Sequence, residues 1–276
     1  MFTLNCKGRL LSLDKPVVMG IINITPDSFY SRSRHQETDA VLAQAEKMMN
    51  EGATILDIGG QSTRPGSERL NAEQEMKRVI EPLYAIRQNF PMAFISIDTF
   101  YAAVAKEAVH AGACIVNDIS AGSMDENMIA TVASLKVPYV LMHMQGTPQT
   151  MQQSPQYENV TKEILDFLIR KSSELRKTGI TDIIIDPGFG FGKTTAHNFE
   201  LLRNLTVFRM LNCPLLLGIS RKSFIRKTPD LTADEVLNGT TAMHTIGLMN
   251  GATILRVHDV KEAVETIRLC QACMNS

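Results

Sequence analysis

Excess charge of either sign is missing from this sequence: 28 Lys and Arg stand against 29 Asp and Glu, a formal net charge of −1. That argues against the basic surface by which a domain binds nucleic acid or an anionic membrane. No apolar stretch approaches the ~20 residues that cross a bilayer, and the opening MFTLNCKG lacks the layout of a signal peptide. Cysteine is sparse: five residues, an odd and scattered set, which suits a reducing, cytoplasmic setting rather than a disulfide framework. Cys270 and Cys273 have CxxC spacing without a second ligand pair, and that spacing is equally that of one helix face. Linkers rich in Pro, Gly or Ser are also absent, so residues 1–276 read as one domain.

What the sequence does have is eight short apolar runs, each ending on a polar residue. They end on Asn23, Asp57, Asp98, Asn117, His143, Asp186, Ser220 and Arg256. Runs of four to six apolar residues rich in β-branched side chains read as strands buried on both faces, as in a parallel sheet. Helical patterns lie between them, such as Val41, Leu42, Ala45, Met48 and Met49 on one face, and Val160, Ile164, Phe167, Leu168 and Leu175 on another. The junctions GATIL at 52–56 and 251–255, with GACIV at 112–116, place a glycine where a helix ends in the left-handed conformation. Thr232 and Glu235 have the spacing of a capping box opening the helix before the last strand. Eight β–α steps predict an α/β fold, a (β/α)8 TIM barrel, with residues 2–13 as a β-hairpin covering its amino-terminal mouth. Such a barrel carries its chemistry at the carboxyl ends of the strands. The longest strand-to-helix segments, about 24–36 and 59–71, are expected to be binding loops or lids.

The polar residues divide by chemistry. Asp98, Asn117 and Asp186 combine carboxylate acceptors with an amide that both donates and accepts, which suits a flat heterocycle with an amino-pyrimidine edge. Asp118 and Asp182 read as capping or surface groups. Ser220-Arg221-Lys222-Ser223 and Arg256-Val257-His258 follow the last two strands, where this fold commonly builds a phosphate site. Surface ion pairing is the competing reading for Arg221 and Arg256. Thr63 and Arg64 add a donor pair on the second long loop. Asn23 offers an amide oxygen suited to Mg²⁺ when phosphate oxygens and water complete the shell. GFGFGKT at 188–194 is not a P-loop, because Pro187 stands where the first glycine is required; its glycines allow a tight passage that presents Phe191 to a planar ligand. His143 has no partners at zinc-ligand spacing, and His35, His110, His197 and His244 read as solvated.

GIINITPDSF at 20–29, LDIGGQSTRPG at 56–66, SIDT at 96–99, VNDI at 116–119, DPGFGFGK at 186–193, SRKS at 220–223 and RVH at 256–258 together resemble the dihydropteroate synthase family over nearly the whole chain. The resemblance implies a cytoplasmic, homodimeric transferase of folate biosynthesis that is a sulfonamide target. Its small-molecule substrates would be 4-aminobenzoate and 6-hydroxymethyl-7,8-dihydropterin diphosphate, with release of diphosphate and use of Mg²⁺. Residue by residue, it implies pterin contacts from Asp98, Asn117, Asp186, Lys222 and Arg256. Diphosphate contacts would come from Asn23, Thr63, Arg64, Arg256 and His258, with Asn23 also the metal ligand. Phe29, Thr63, Pro65, Phe191 and Ser223 would surround aminobenzoate. Arg64, Lys222, Arg256 and His258 would carry the catalysis.

Two positions depart from the family pattern. Ser31 replaces an acidic residue of the first loop, and Gln61 stands where the family usually has Glu. Two other readings share the Asp98, Asn117 and Asp186 ring: a pterin domain that passes a methyl group to a corrinoid partner, and a non-catalytic pterin-binding module. The first has no use for Arg64, Arg256 and His258 as a diphosphate clamp.

Overall fold

The structure, a computed structural model, describes residues 2–24, 34–61, 69–151, 155–228, 232 and 235–275, the side chains of Arg34, His35 and Asn275 excepted. Its first elements are the antiparallel strands β1 (Thr3–Cys6) and β2 (Arg9–Ser12). Lys7 and Gly8, with φ of 55° and 85°, supply the two left-handed residues of the tight turn between them.

The eight apolar runs form eight parallel strands: β3 (Val17–Asn23), β4 (Ile55–Gly59), β5 (Phe94–Asp98), β6 (Ile115–Asp118), β7 (Tyr139–Met142), β8 (Ile183–Asp186), β9 (Leu216–Leu217) and β10 (Ile254–Val257). Their order is β8-β7-β6-β5-β4-β3-β10-β9, and Ile185 pairs in parallel with Leu215, just ahead of β9, to close the ring. Between the strands run α1 (Arg34–Asn50), α2 (Ala72–Asn89), α3 (Ala102–Ala111), α4 (Met128–Leu135), α5 (Val160–Lys177), α6 (Thr195–Arg203), α7 (Ser223–Lys227) and α8 (Val236–Met249), and α9 (Val260–Asn275) follows the last strand.

Three helices turn into strands by one device. Gly52, Gly112 and Gly251 have φ of 101°, 126° and 100°. In each case the next residue, an alanine, donates its N–H back across the last turn: Ala53 to Met48, Ala113 to Ala108 and Ala252 to Gly247. This Schellman closure satisfies orphan carbonyls that would otherwise be buried.

Side chains alternate along each strand. Val18, Leu56, Ile95, Val116, Leu141, Ile185, Leu217 and Leu255 pack outward with the helices. Met19, Ile55, Ile115, Val140, Ile184, Leu216 and Ile254 fill the barrel floor, where they meet Leu4, Cys6, Leu11 and Leu13. The hairpin therefore plugs the amino-terminal mouth. The Asn5 N–H donating to the Asp182 carboxylate (2.8 Å) and Arg9 donating to the carbonyls of Pro91, Met92 and Ala93 pin it there.

Several expectations need correction. Asp57 lies within β4, which continues to Gly59. Helix α8 begins at Val236, and the Glu235 carboxylate accepts from both the backbone N–H and the hydroxyl of Thr232, so only the reach-back half of the capping box forms. His244 is buried on α8, and burial pushes its pKa down to about 4; His197 reciprocally caps α6 with Thr194. Phe29, Ser31, Thr63, Arg64 and Pro65 lie outside the described residues.

Leu11 is one of the hairpin's buried contacts with the barrel floor. Leu11→Ala is expected to lower the unfolding free energy by about 2–4 kcal/mol, read as a lower midpoint in urea with an unchanged slope.

Candidate active site

One tier of the barrel lies at the carboxyl ends of four neighbouring strands, where Asn23, Gly59, Asp98 and Asn117 are in register. Gly59 leaves a gap in it: a Cβ there would sit 3.4 Å from Asp98 Cβ and 3.7 Å from Asn23 Oδ1. Asp186 ends β8 on the far side and Arg256 enters from β10. The structure thus brings together the strand-borne groups expected at the pterin.

Arg256 bridges two carboxylates. Its Nε donates to Asp57 Oδ2 at 2.6 Å and its Nη2 to Asp98 Oδ2 at 2.5 Å. Burial works against the guanidinium's charge, but Asp57 and Asp98 outweigh it and raise its pKa. Asp98 itself is pushed up to about 7 by burial, with Arg256 opposing and Asp57 and Asp118 adding to the shift. Asn117 Nδ2 donates to the same Asp57 oxygen at 3.0 Å. A carboxylate is acceptor-only, so Asp57 fixes the Asn117 amide with its NH₂ inward and its carbonyl oxygen free to face a ligand donor. Sequence reasoning stopped at Asp57 as the end of a run and missed this positioning role; the signal was a carboxylate at an inward position among apolar neighbours.

Beyond Asp186 the chain passes through three glycines of positive φ, Gly188, Gly190 and Gly192. Side chains could not fit there: a Cβ on Gly188 would lie 1.8 Å from the His143 carbonyl oxygen, and one on Gly192 would lie 2.5 Å from that of Gln145. Asp186 Oδ1 accepts from the Gly188 N–H at 2.7 Å. Burial raises the Asp186 pKa, opposed by Lys222 and by that N–H. Lys222 donates to the Phe189 carbonyl and lies 4.4 Å from the Phe191 ring centroid; burial lowers its pKa to about 8. Lys193 is buried, with Nζ donating to the carbonyls of Gly188 (2.8 Å) and Phe191 (3.0 Å) and lying 3.2 Å from His143 Nδ1. It braces the glycine passage against the end of β7. Phe191, beyond β8, joins Phe100 and Ile119, beyond β5 and β6, and Met142, the last residue of β7, in an apolar shelf; the last three were not singled out as site residues in the sequence.

At the remaining corner, Ser220 Oγ accepts from the His258 backbone N–H at 3.2 Å and lies 3.1 Å from His258 Nδ1. Arg221 is a bidentate partner of Asp259 at 2.8 and 2.5 Å, so ion pairing is its role. Ser223 is exposed at the first position of α7. Asp118 caps its loop, accepting from Ser120, Gly122 and Tyr139. Gln61 pairs with the Leu70 backbone both ways, donating from Nε2 (3.3 Å) and accepting at Oε1 (3.0 Å). An ionised glutamate would lack that donor, which gives this departure from the family a physical meaning.

Two predictions follow from the buried carboxylates. Asp57→Asn leaves Arg256 with one charged partner and lets the Asn117 amide turn. It should cost about 3 kcal/mol of stability, as breaking a buried pair does, and weaken pterin binding at least ~10-fold in calorimetry. Unchanged affinity would exclude the positioning role. Glu75, at the start of α2, is fully buried beneath Gly60, and burial pushes its pKa up to about 7. A carboxyl raised in the folded state contributes its stability below its unfolded value near 4.5 and loses it as pH rises through about 7. Glu75→Gln should therefore gain roughly 1–3 kcal/mol relative to the parent between pH 5 and pH 8; parallel stability–pH curves would refute this.

Comparison with known proteins agrees with this geometry. The family model described as "pterin binding enzyme" matches residues 19–258. The chain is 42% identical over 272 residues to the dihydropteroate synthase of Escherichia coli K12, covering 98% of this chain and 96% of that protein. It also resembles the Xanthomonas albilineans dihydropteroate synthase solved with 4-aminobenzoic acid, at TM-score 0.92 and 39% identity over 99% of this chain and 98% of that one. The same enzyme solved with 7,8-dihydropteroate gives TM-score 0.90 and 37% identity over the whole of both chains. The ring of Asp98, Asn117, Asp186 and Arg256 thus stands in a chain that belongs to the pterin-binding enzyme family.

Proposed function

We propose that this chain joins 4-aminobenzoate to 6-hydroxymethyl-7,8-dihydropterin diphosphate, forming 7,8-dihydropteroate and releasing diphosphate, as the dihydropteroate synthases it is similar to are named for doing. The observation that carries the reading is the pairing of two chemistries in one barrel mouth. Asp98, Asn117, Asp186 and Lys222 offer a hydrogen-bonding ring for a flat heterocycle, and Arg256 and His258 stand beside it as an anion corner. A methyl-transfer domain would need the ring but not that corner.

Bond breaking decides where catalysis acts. The aromatic amine of aminobenzoate is neutral near pH 7 and needs no strong base. The dihydropterin ring spreads the positive charge that develops as the carbon–oxygen bond breaks, so the leaving diphosphate gathers negative charge. Arg256 and His258, with Thr63 and Arg64 from the second long loop, stabilise charge that grows only on ionisation, and this differential binding lowers the barrier. Asp98, Asn117, Asp186 and Lys222 hold the pterin. Phe191 and Ser223, with Phe29, Thr63 and Pro65, hold aminobenzoate within reach of the exocyclic carbon, which supplies proximity.

Asn23 brings one amide oxygen to the tier beside Asp98, and no group of three or more acidic, His or Cys ligands occurs among the described residues. That donor set fits a Mg²⁺ ion held mostly by substrate phosphate oxygens and water, which when bound would neutralise part of the diphosphate charge.

The reading also includes a homodimer in the cytoplasm. Ile246 and Met249, exposed by 40% and 54% on the last turn of α8, support the dimer; no described helix is long and apolar enough to cross a membrane.

Purified protein given both substrates and Mg²⁺ should release one diphosphate per dihydropteroate formed; no release with either substrate class would refute the proposal. Arg256→Met should lose turnover by about 10²-fold or more while the aminobenzoate KM changes little, because removing a transition-state contact lowers kcat. Wild-type turnover with a raised aminobenzoate KM would reverse its assignment.

A further inference from the structure

The Ser220 hydroxyl, at the barrel mouth, has no part in the chemistry above. Ser220 is 6% exposed and sits in the turn after β9. Among the described residues its oxygen meets one, 38 positions away, twice: the His258 backbone N–H at 3.2 Å and the His258 ring Nδ1 at 3.1 Å. The turn is built to hold it there. Arg221 adopts a left-handed φ of 56°, uncommon for a residue with a side chain, and its N–H donates to Thr240 Oγ1 (3.2 Å). Its guanidinium grips Asp259, and Lys222 N–H closes the turn on Ile219 O. Ser220 and Arg221 thus stitch the end of β9 to His258 and Asp259 just beyond β10.

We infer that Ser220 is a positioning residue that fixes the tautomer and direction of the His258 imidazole, so that Nε2–H is the donor offered to the leaving diphosphate. This rests on the reading of the site given above. A backbone N–H can only donate, so the Ser220 oxygen accepts from it and its one hydrogen is available to Nδ1. With that hydrogen turned to Nδ1, the ring nitrogen is the acceptor and a neutral imidazole carries its hydrogen on Nε2; in the other tautomer the hydroxyl's second lone pair would take the Nδ1–H, and the tautomer measurement below separates the two. A ring with the opposite tautomer would present a lone pair to an anion and repel it. Ser220 itself touches no reacting atom.

The test is a double-mutant cycle with a spectroscopic readout. Ser220→Ala should lower the rate of diphosphate release about 10-fold, in the range seen for groups that orient another ligand. The aminobenzoate KM should stay near that of the parent, and Ser220→Thr, which keeps the hydroxyl, should recover most of the loss. In a His258→Ala background, Ser220→Ala should cost nothing further, since the hydroxyl acts only through that ring. With ¹⁵N-labelled histidine, the His258 resonances of the parent should report the Nε2–H tautomer, and those of Ser220→Ala a mixture. An equal loss with and without His258, or an unchanged tautomer in Ser220→Ala, would overturn the inference. If the parent forms no dihydropteroate, the proposed function fails, while the tautomer measurement still decides the role of Ser220.

Discussion

The guanidinium of Arg256, held between Asp57 and Asp98, is the interaction on which the barrel mouth depends. A charge on an inward position of β10 is tolerable only with partners, because a lone buried ion costs several kcal/mol. The partners come from β4 and β5, on the far side of β3. This one contact therefore ties three strands together above the apolar floor. It also sets other groups: Asp57, occupied by Arg256, orients the Asn117 amide, and Asp98 keeps one oxygen not engaged by Arg256. Asp98 is raised to about 7, with Asp57 adding to the burial effect; a cation leaving this cluster would strand two carboxylates facing each other.

The opposite wall is rigid for a different reason. There the backbone, not an ion pair, fixes the ligands. Gly188, Gly190 and Gly192 let the chain run against the loop after β7 and against the Lys222 stem, where any Cβ would collide. Lys193 fills its three donor positions with the carbonyls and imidazole it braces, so the passage that carries Phe191 is tied at both ends. Burial and the neighbouring Lys222 depress the Lys193 pKa, with Asp186 opposing them. The wall is thus stiff at the cost of a strained charge.

Much of this was legible in the sequence, and the reason is geometric. Apolar runs with a polar terminus can form buried strands in few ways, so the eight strands and the inward placement of Asp98, Asn117, Asp186 and Arg256 follow from period and length. The junction glycines were equally legible, since a left-handed residue before an alanine has one common use. Partnerships were not. Nothing in the run ending at Asp57 states that its carboxylate would take both Arg256 and Asn117, because that depends on strand order around the ring. His244 misled for a related reason: its helix has a weakly polarised sequence, and which face turned inward was decided by packing. Arg221 read equally well as an anion ligand until Asp259 proved to lie beside it.

The barrel interior changes character within two residues along β4, β6, β8 and β10. Ile55 gives way to Asp57, Ile115 to Asn117, Ile184 to Asp186 and Ile254 to Arg256. The floor closed by the hairpin keeps water from reaching the charges from below, and burial is the first cause of the raised pKa values of Asp98 and Asp186 and of the lowered value of Lys222. In that setting a carboxylate is stable only against a cation or an N–H donor, and each that is present has one. A ligand with a row of N–H donors can therefore compete for these acceptors without meeting a solvated ion, while hydrogen bonds formed there are stronger than in water. Plugging one end of the barrel is thus part of how recognition at the other end works.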